Sequence, residues 1–324
     1  MPEPAPTARA PRPVIIDTDP GIDDTIALLL ALQSPELEVR GLAATYGNTT
    51  VEHAYRNCIE ILRRTHRRLS LAVSARRPLK RALATAPETH GPTGLGNAAV
   101  ASAGVILDYV KPLDRLLAEQ PNPVTLVTLG PVTGLALALR RDADLVREKV
   151  ARHLAMIGNI KAAGNTTKYS EFNAWCDPEA LALVLKAELP TEIIGLDVTR
   201  QFVLSGPAIS RLGQSSDERQ QWLYAALRYY LAFHREHENL DGCVLNDVLP
   251  IAELIAPGTL TFEPLRIKVE VEDGENRGRT RVDPEGAKAR VATAVRADVA
   301  HRLIADRVLA APLPAPARVA GAAS

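Results

Sequence analysis

The stretch Val14-Ile15-Ile16-Asp17-Thr18-Asp19-Pro20-Gly21-Ile22-Asp23-Asp24 runs straight into Thr25-Ile26-Ala27-Leu28-Leu29-Leu30-Ala31-Leu32. The β-branched apolar run at its start reads as a strand buried on both faces, as in a parallel sheet. Pro20-Gly21 ends that strand, and Ile26 to Leu32 reads as a buried helix that begins just after Asp23-Asp24. Four carboxylates therefore crowd one strand-to-helix turn, at the carboxyl edge where open α/β sheets bind ligands. So much like charge is costly unless protons or a cation absorb it. A hard divalent cation held by carboxylate oxygens is the simplest answer. Helix capping by Asp23 or Asp24 accounts for one or two of the acids, not all four.

The remaining sequence sets bounds. A chain of 324 residues with 46% hydrophobic residues is long enough for one large α/β domain or two ordinary ones. Lys plus Arg, 38, balance Asp plus Glu, 38, so no basic field points to nucleic acid or an anionic membrane. Three cysteines, Cys58, Cys176 and Cys243, have neither CxxC nor zinc spacing, which suggests reduced thiols in the cytoplasm. No apolar run is long enough to span a bilayer, and Met1 to Pro13 lacks the apolar segment of a signal peptide. That extension (1–13) and the Pro/Ala-rich tail (311–324) are expected to be disordered, flanking a single domain over 14–310.

Strand and helix signals alternate along the chain. Strands are expected at Leu37–Thr45, Leu69–Val73, Pro123–Leu129, Leu154–Ile157 and Glu192–Leu196. Helices are expected at 51–65, Ile106–Glu119, Val132–Arg140 and Pro178–Lys186. This order predicts an open, mainly parallel, Rossmann-like sheet with helices on both faces. A C-terminal part follows, with helices near Ser216–His237 and Asn246–Ile255. Strands at Leu265–Val271 and Thr280–Asp283 make a small hairpin around Asp273-Gly274-Glu275-Asn276-Arg277-Gly278. A strand near Arg290–Val295 and a helix at Ala297–Leu309 close the fold. The arginine run ending the 51–65 helix reads as a dipole-matched, solvated end. His90-Gly91-Pro92-Thr93-Gly94-Leu95-Gly96 sits in a Gly/Pro-rich stretch and is expected to be a mobile lid.

Asp17-Thr18-Asp19-Pro20-Gly21-Ile22-Asp23-Asp24 resembles the amino-terminal signature of the inosine-uridine-preferring nucleoside hydrolases. Tyr46-Gly47-Asn48, the Asn165 to Asn173 stretch with Glu171-Phe172-Asn173, Asp177-Pro178-Glu179-Ala180 and Asn246-Asp247 resemble further blocks of that family. The resemblance spans about Val14 to Leu309. It implies a ribonucleoside N-ribohydrolase with Ca2+ held by Asp19, Asp24, Asp247 and the backbone carbonyl of Leu129. It also implies that Asp23, Asn165, Glu171 and Asn173 grip the ribose hydroxyls, with Asn48 supporting the pocket. A homodimer or homotetramer is implied as well.

Breaking an N-glycosidic bond builds oxocarbenium character on the ribose, which surrounding anions stabilise. Asp19 is the expected base that takes a proton from a cation-acidified water. Asn246 departs from the family's His, and Asn cannot act as a general acid. Leu223, Leu227, Tyr230 and His234 share one helical stripe, so His234, with Tyr230 or His90, is the expected donor to the leaving base. Two other readings stay open. One is a haloacid-dehalogenase-like phosphohydrolase with Asp17 as nucleophile; the other is a catalytically weak nucleoside- or sugar-binding protein.

Overall fold

A computed structural model describes residues 10–101 and 106–309. The chain opens with β1 (Arg12–Thr18), α1 (Ile22–Leu32), β2 (Leu37–Ala44), α2 (Val51–Arg64), β3 (Ser70–Val73) and the short α3 (Pro87–His90). It continues through α4 (Leu113–Ala118), β4 (Val124–Thr128), α5 (Thr133–Arg141), α6 (Ala143–Lys149) and β5 (Val150–Met156). Next come α7 (Phe172–Cys176), α8 (Pro178–Lys186), β6 (Thr191–Ile194) and α9 (Leu196–Thr199). The last third holds β7 (Val203–Ser205), α10 (Gly206–Leu212), α11 (Glu218–His237), β8 (Gly242–Val244) and α12 (Val248–Ile255). It closes with β9 (Leu260–Val269), β10 (Thr280–Val282), β11 (Ala287–Val295) and α13 (Ala297–Ile304).

Among the described residues, nine strands share one sheet in the order β10-β9-β11-β6-β5-β4-β1-β2-β3. From β3 to β11 the neighbours run parallel, whereas β9 and β10 add antiparallel strands at one edge. Side chains alternate across the sheet. Val14 and Ile16 of β1 join the core under α1, α2, α11 and α12, while Ile15 joins the one under α4, α5 and α8. Every residue of α1 is buried, as its apolar run Ile26 to Leu32 demands, and the burial extends to Asp23 and Asp24 in the first turn. No helix among the described residues is long and apolar enough to cross a membrane.

The connectivity positions the site. The chain leaves β1 towards β2 and β3, then returns to place β4 on the other side of β1. The carboxyl ends of β1 and β4 therefore flank a topological switch point, where loops diverge and leave a crevice. Asp19 follows β1 and Leu129 follows β4.

The structure also departs from the sequence reading in places. The first strand begins two residues early, so Arg12 and Pro13 belong to β1; residues 1–9 and the 311–324 tail lie outside the described residues. The expected helix Ile106–Glu119 is a 3₁₀ turn at Leu107–Tyr109 followed by α4. Pro112 separates them, because its ring and missing N–H suit a helix start rather than an interior. Helix α6 was not foreseen; Asp142 starts it by accepting the Leu145 N–H at 2.9 Å. The hairpin is not free-standing: β9 pairs with β11 and so extends the main sheet.

Candidate active site

The β1–α1 turn holds its acids in a dense lattice of donors. Thr18 Oγ1 donates to Asp24 Oδ1 at 2.5 Å, and the Gly21 N–H and Asn48 side-chain amide donate to Oδ2 at 3.0 and 2.8 Å. Asp24 thus does cap α1, as the simpler reading allowed. The Asn48 backbone N–H donates to Asp19 Oδ2 at 2.6 Å. Glycine is needed around Asp19 for close approach: a Cβ on Gly47 or Gly130 would lie 2.0 or 2.4 Å from its carboxylate oxygens.

Asp247 arrives from the start of α12 and makes no side-chain cap there. Its function is therefore not that of a helix cap. Oxygens of Asp23, Asp24 and Asp247 lie within 4.8 Å of one another, and all three residues are buried. Asp19 is fully buried beside them. It stands outside that closest trio, whereas Asp23, expected to face the sugar, stands inside it.

The electrostatics of this floor are unusual. Burial, then the charge of Asp24, pushes the Asp23 carboxyl up to about 7. Burial and the same neighbour raise Asp19 well above the usual carboxylate range. Burial and the charges of Asp23, Asp24 and Asp19 do the same to Asp247. Asp19 Oδ1, Asp23 Oδ1 and Asn246 Oδ1 are buried without a hydrogen-bond partner. Unmet lone pairs on hard oxygen donors, next to the trio of Asp23, Asp24 and Asp247, fit a divalent cation.

Above this floor opens a cavity of about 250 Å³, lined among others by Asp23, Asn48, Leu129, Asn165, Glu171, Asn173, Asn246 and Asp247. The structure thus brings together eleven of the expected residues, since His90, Tyr230 and His234 also line it, while Asp19 and Asp24 are buried without lining it. Asn173 Nδ2 donates to the carbonyls of Leu129 and Met156 at 2.7 and 3.0 Å, tying the ends of β4 and β5. Glu171 caps α7: its carboxylate accepts the N–H groups of Gly158, Asn173 and Ala174. Asn165 is exposed at the rim and accepts the Phe172 N–H at 2.9 Å. Asn246 Nδ2 leans on Asp23 at 3.4 Å.

Three rings form the far wall, with centroids 5.2 Å apart for His90–Tyr230 and 4.3 Å for Tyr230–His234. His90 Nδ1 accepts the Ile22 N–H at 3.2 Å, which leaves the ring proton on Nε2. Burial lowers its pKa to about 3, so the ring is neutral. His234 Nδ1 donates to the Tyr230 carbonyl at 2.9 Å, and its Nε2 meets the Val244 N–H at 3.4 Å. Burial lowers its pKa too. Both His234 nitrogens thus face backbone groups, with the Glu238 carboxylate 3.8 Å from Nε2.

The stretch expected to be a mobile lid is packed down. His90 and Leu95 are buried, Asn57 Nδ2 donates to the carbonyls of Pro20 and Thr93, and Tyr229 and Trp222 of α11 donate to those of Pro87 and Ala99. The cavity also takes in Arg200, Phe233 and Glu238, which sequence reasoning missed. Phe233 adjoins His234 but lies off the apolar stripe; for Arg200 no local signal exists.

Asp17 belongs elsewhere. It is buried, accepts the Ser74 hydroxyl at 2.5 Å and does not line the cavity, so the phosphohydrolase reading loses its nucleophile.

Known proteins with this architecture agree. The chain is 35% identical over 276 residues to the pyrimidine-specific ribonucleoside hydrolase RihA of Klebsiella pneumoniae, covering 84% of this chain and 88% of that one. The RihA protein of Photobacterium profundum is 33% identical over 277 residues, covering 84% and 89%. A plant nucleoside hydrolase superposes with a TM-score of 0.83 at 29% identity, over 93% of this chain and 99% of its own. A purine-preferring ribonucleoside hydrolase from Gardnerella vaginalis gives 0.84 at 25%, over 92% and 98%. With the family model for inosine-uridine preferring nucleoside hydrolases matching residues 14–302, the chain belongs to that family, whose members cleave the N-glycosidic bond of ribonucleosides.

Proposed function

We propose that this nucleoside hydrolase is calcium-dependent, acts on pyrimidine ribonucleosides and uses Asp19 as its base. The observation that carries the reading is the buried floor of Asp19, Asp23, Asp24 and Asp247, raised pKa values and orphaned oxygens included. Asp24, Asp247, Asp19 and the Leu129 carbonyl would hold the cation. Calcium, when bound, neutralises these charges and makes a nearby water more acidic. Asp19 then accepts the water proton through its free Oδ1. Asp23, also with a free Oδ1, takes a ribose hydroxyl, and Asn165, Glu171 and Asn173 hold the rest of the sugar. Crowded anions beneath the ring favour the oxocarbenium-like transition state.

The leaving base is helped by His90 rather than by Asn246 or His234. A neutral imidazole with its proton on Nε2 donates a hydrogen bond without first having to charge. Tyr230 keeps that ring in place by a tilted ring contact, and His234 backs Tyr230 edge-on. The pyrimidine preference rests on the RihA relatives, which are more similar in sequence than the purine-preferring structure. The buried, unpaired Cys58, Cys176 and Cys243 support a reducing cytoplasm, and a homo-oligomer is the proposed assembly.

Ribose release from uridine, cytidine and inosine, with chelator and with calcium restored, tests the reading. Release from the pyrimidine nucleosides only with calcium supports it. Preference for inosine overturns the substrate assignment, and undiminished turnover in metal-free protein overturns the metal.

A further inference from the structure

The β9–β10 hairpin tip, 270–279, lies outside the cavity, yet it grips the loop and short helix that carry Asn165, Glu171 and Asn173. Helix α7 has five residues. A helix this short does not sustain itself, and its terminal backbone groups need outside partners. Glu171 serves its amino end. At the carboxyl end, Arg277 Nε donates to the Trp175 carbonyl at 3.0 Å and Nη2 to that of Cys176 at 3.5 Å. Its guanidinium also stacks on the Trp175 ring, 4.1 Å from the centroid. A cation there matches the helix dipole.

The preceding loop is held by the same tip. Ser170 Oγ donates to the Arg277 carbonyl at 2.6 Å and Thr167 Oγ1 to that of Glu275 at 3.1 Å. Gly278 allows the approach, since a Cβ there would lie 2.5 Å from the Trp175 Cα. At the hairpin's base, Thr280 exchanges hydrogen bonds with Asn159, which in turn accepts the Glu171 N–H at 3.2 Å. The tip thus reaches every segment that carries the three side chains.

We propose that Arg277 is a positioning residue for ribose recognition, fixing Asn173 and Glu171 through the carboxyl end of α7. The proposal rests on the reading that this segment grips the sugar. The Arg277 side chain serves no other element that its contacts reveal, so its loss should disturb the sugar side of the site and spare the cation side.

The test compares Arg277→Ala, Arg277→Lys and Ser170→Ala on a ribonucleoside and on its 2′-deoxy counterpart, alongside Asn173→Ala and the Arg277→Ala/Asn173→Ala double variant. Arg277→Ala should lower kcat/KM for the ribonucleoside about tenfold, the scale of losing a group that orients a site residue. The loss should shrink on the deoxynucleoside and in the Asn173→Ala background, because both routes end at one contact. Calcium affinity should be unchanged, Arg277→Lys should recover part of the activity, and Ser170→Ala should show a smaller loss of the same pattern. Equal losses on both substrates, full additivity with Asn173→Ala, or weakened calcium binding would each overturn the proposal. Where Asn173→Ala itself leaves KM unchanged, the sugar-grip reading fails instead, which separates the two failures. Should Arg277→Ala not fold, Ser170→Ala decides by the same comparison.

Discussion

The β1–α1 turn and the loop from Pro87 to Ala99 lie against each other, yet they are built on opposite terms. In the turn, buried carboxylates keep oxygens without partners on Asp19 and Asp23. In the loop, contacts are closed: His90 takes the Ile22 N–H, Asn57 bridges Pro20 and Thr93, and two α11 side chains donate into its carbonyls. Unmet lone pairs cost stability but keep capacity for a ligand. Met ones give a fixed wall for a neutral histidine. One region is made to bind and the other to hold shape, so substitutions in the two should differ in kind.

The largest expected effect is at Asp19. Asp19→Asn removes the proton acceptor and should cut turnover about a thousandfold, within the range for general bases, with a smaller change in KM. The calcium-free variant should melt no lower than the parent, since one member of a repelling cluster is neutralised. Ribose release and a melting curve in chelator check both halves. Near-native turnover would move the base elsewhere.

The next effect is a pH dependence of opposite sign in the two regions, since burial holds the His90 imidazole down to about 3 while it raises the acids of the turn. Asp23 has its folded pKa raised to about 7 from 3.8, so its stabilising share is complete below about pH 4 and lost as pH rises through 7. Relative to an Asp23→Asn variant, which carries the same Asp17, Glu171, His90 and His153 contributions, calcium-free protein should therefore lose on the order of a few kcal/mol between pH 4 and 8. Calcium needs the carboxylates ionised, so its affinity should rise over the same interval. Saturating calcium should then restore about 2.7 kcal/mol at a hundredfold excess over Kd. Calorimetric or fluorescence melting with and without calcium across pH measures this, and a flat calcium-free profile relative to that variant would contradict it.

Much of this contrast was legible beforehand, and what was hidden follows one pattern. Asp19, Asp23 and Asp24 lie within six residues, so one local stretch announces the site; Asp247 entered only by resemblance. The positions of the strands along the chain were readable because each parallel strand is its own short apolar run, whereas their order in the sheet was not. In the loop, Gly91, Gly94 and Gly96 read from composition as flexibility. Their φ values of 79°, 91° and 54° show glycines required by one compact path, and a Cβ on Gly94 would lie 2.8 Å from the Pro20 carbonyl. Composition cannot separate a glycine that permits motion from one that permits contact. Partners distant in sequence, such as Arg277 under Trp175 or His234 on Val244, leave no local trace at all.

A third expectation addresses the wall. His90→Ala should slow nucleosides with poor leaving groups about tenfold or more and spare an activated aryl riboside. His234→Ala should cost both substrates alike, since its nitrogens serve backbone. Because His90 is neutral down to about pH 3, no activity limb near pH 6.5 should trace to it. Kinetics on the two substrates from pH 5 to 8 decide between the two rings. A selective loss in His234→Ala would restore the proton-donor role to that residue.

The smallest effect is the most direct test of how the two regions are joined. Asn57 is buried on α2, and its single amide donates to Pro20 in the turn at 2.9 Å and to Thr93 in the loop at 2.8 Å. No other side chain bridges these two carbonyls among the described residues. Asn57→Ala leaves the buried Pro20 carbonyl and the part-buried Thr93 carbonyl without this donor and should destabilise the protein by about 1–3 kcal/mol, the cost of stranding such groups. If the turn is an autonomous binder and the loop only a wall, calcium affinity should stay the same while KM rises a few-fold as His90 loses its fixed place. Asn57→Asp is the sharper variant, because it keeps the shape but replaces the donor with an acceptor facing two carbonyls, and it should be the less stable of the two. Isothermal titration with calcium and steady-state kinetics on uridine separate the effects. Should calcium affinity fall along with KM, the loop would be part of what organises the acids, and the division between a binding region and a holding region would not stand.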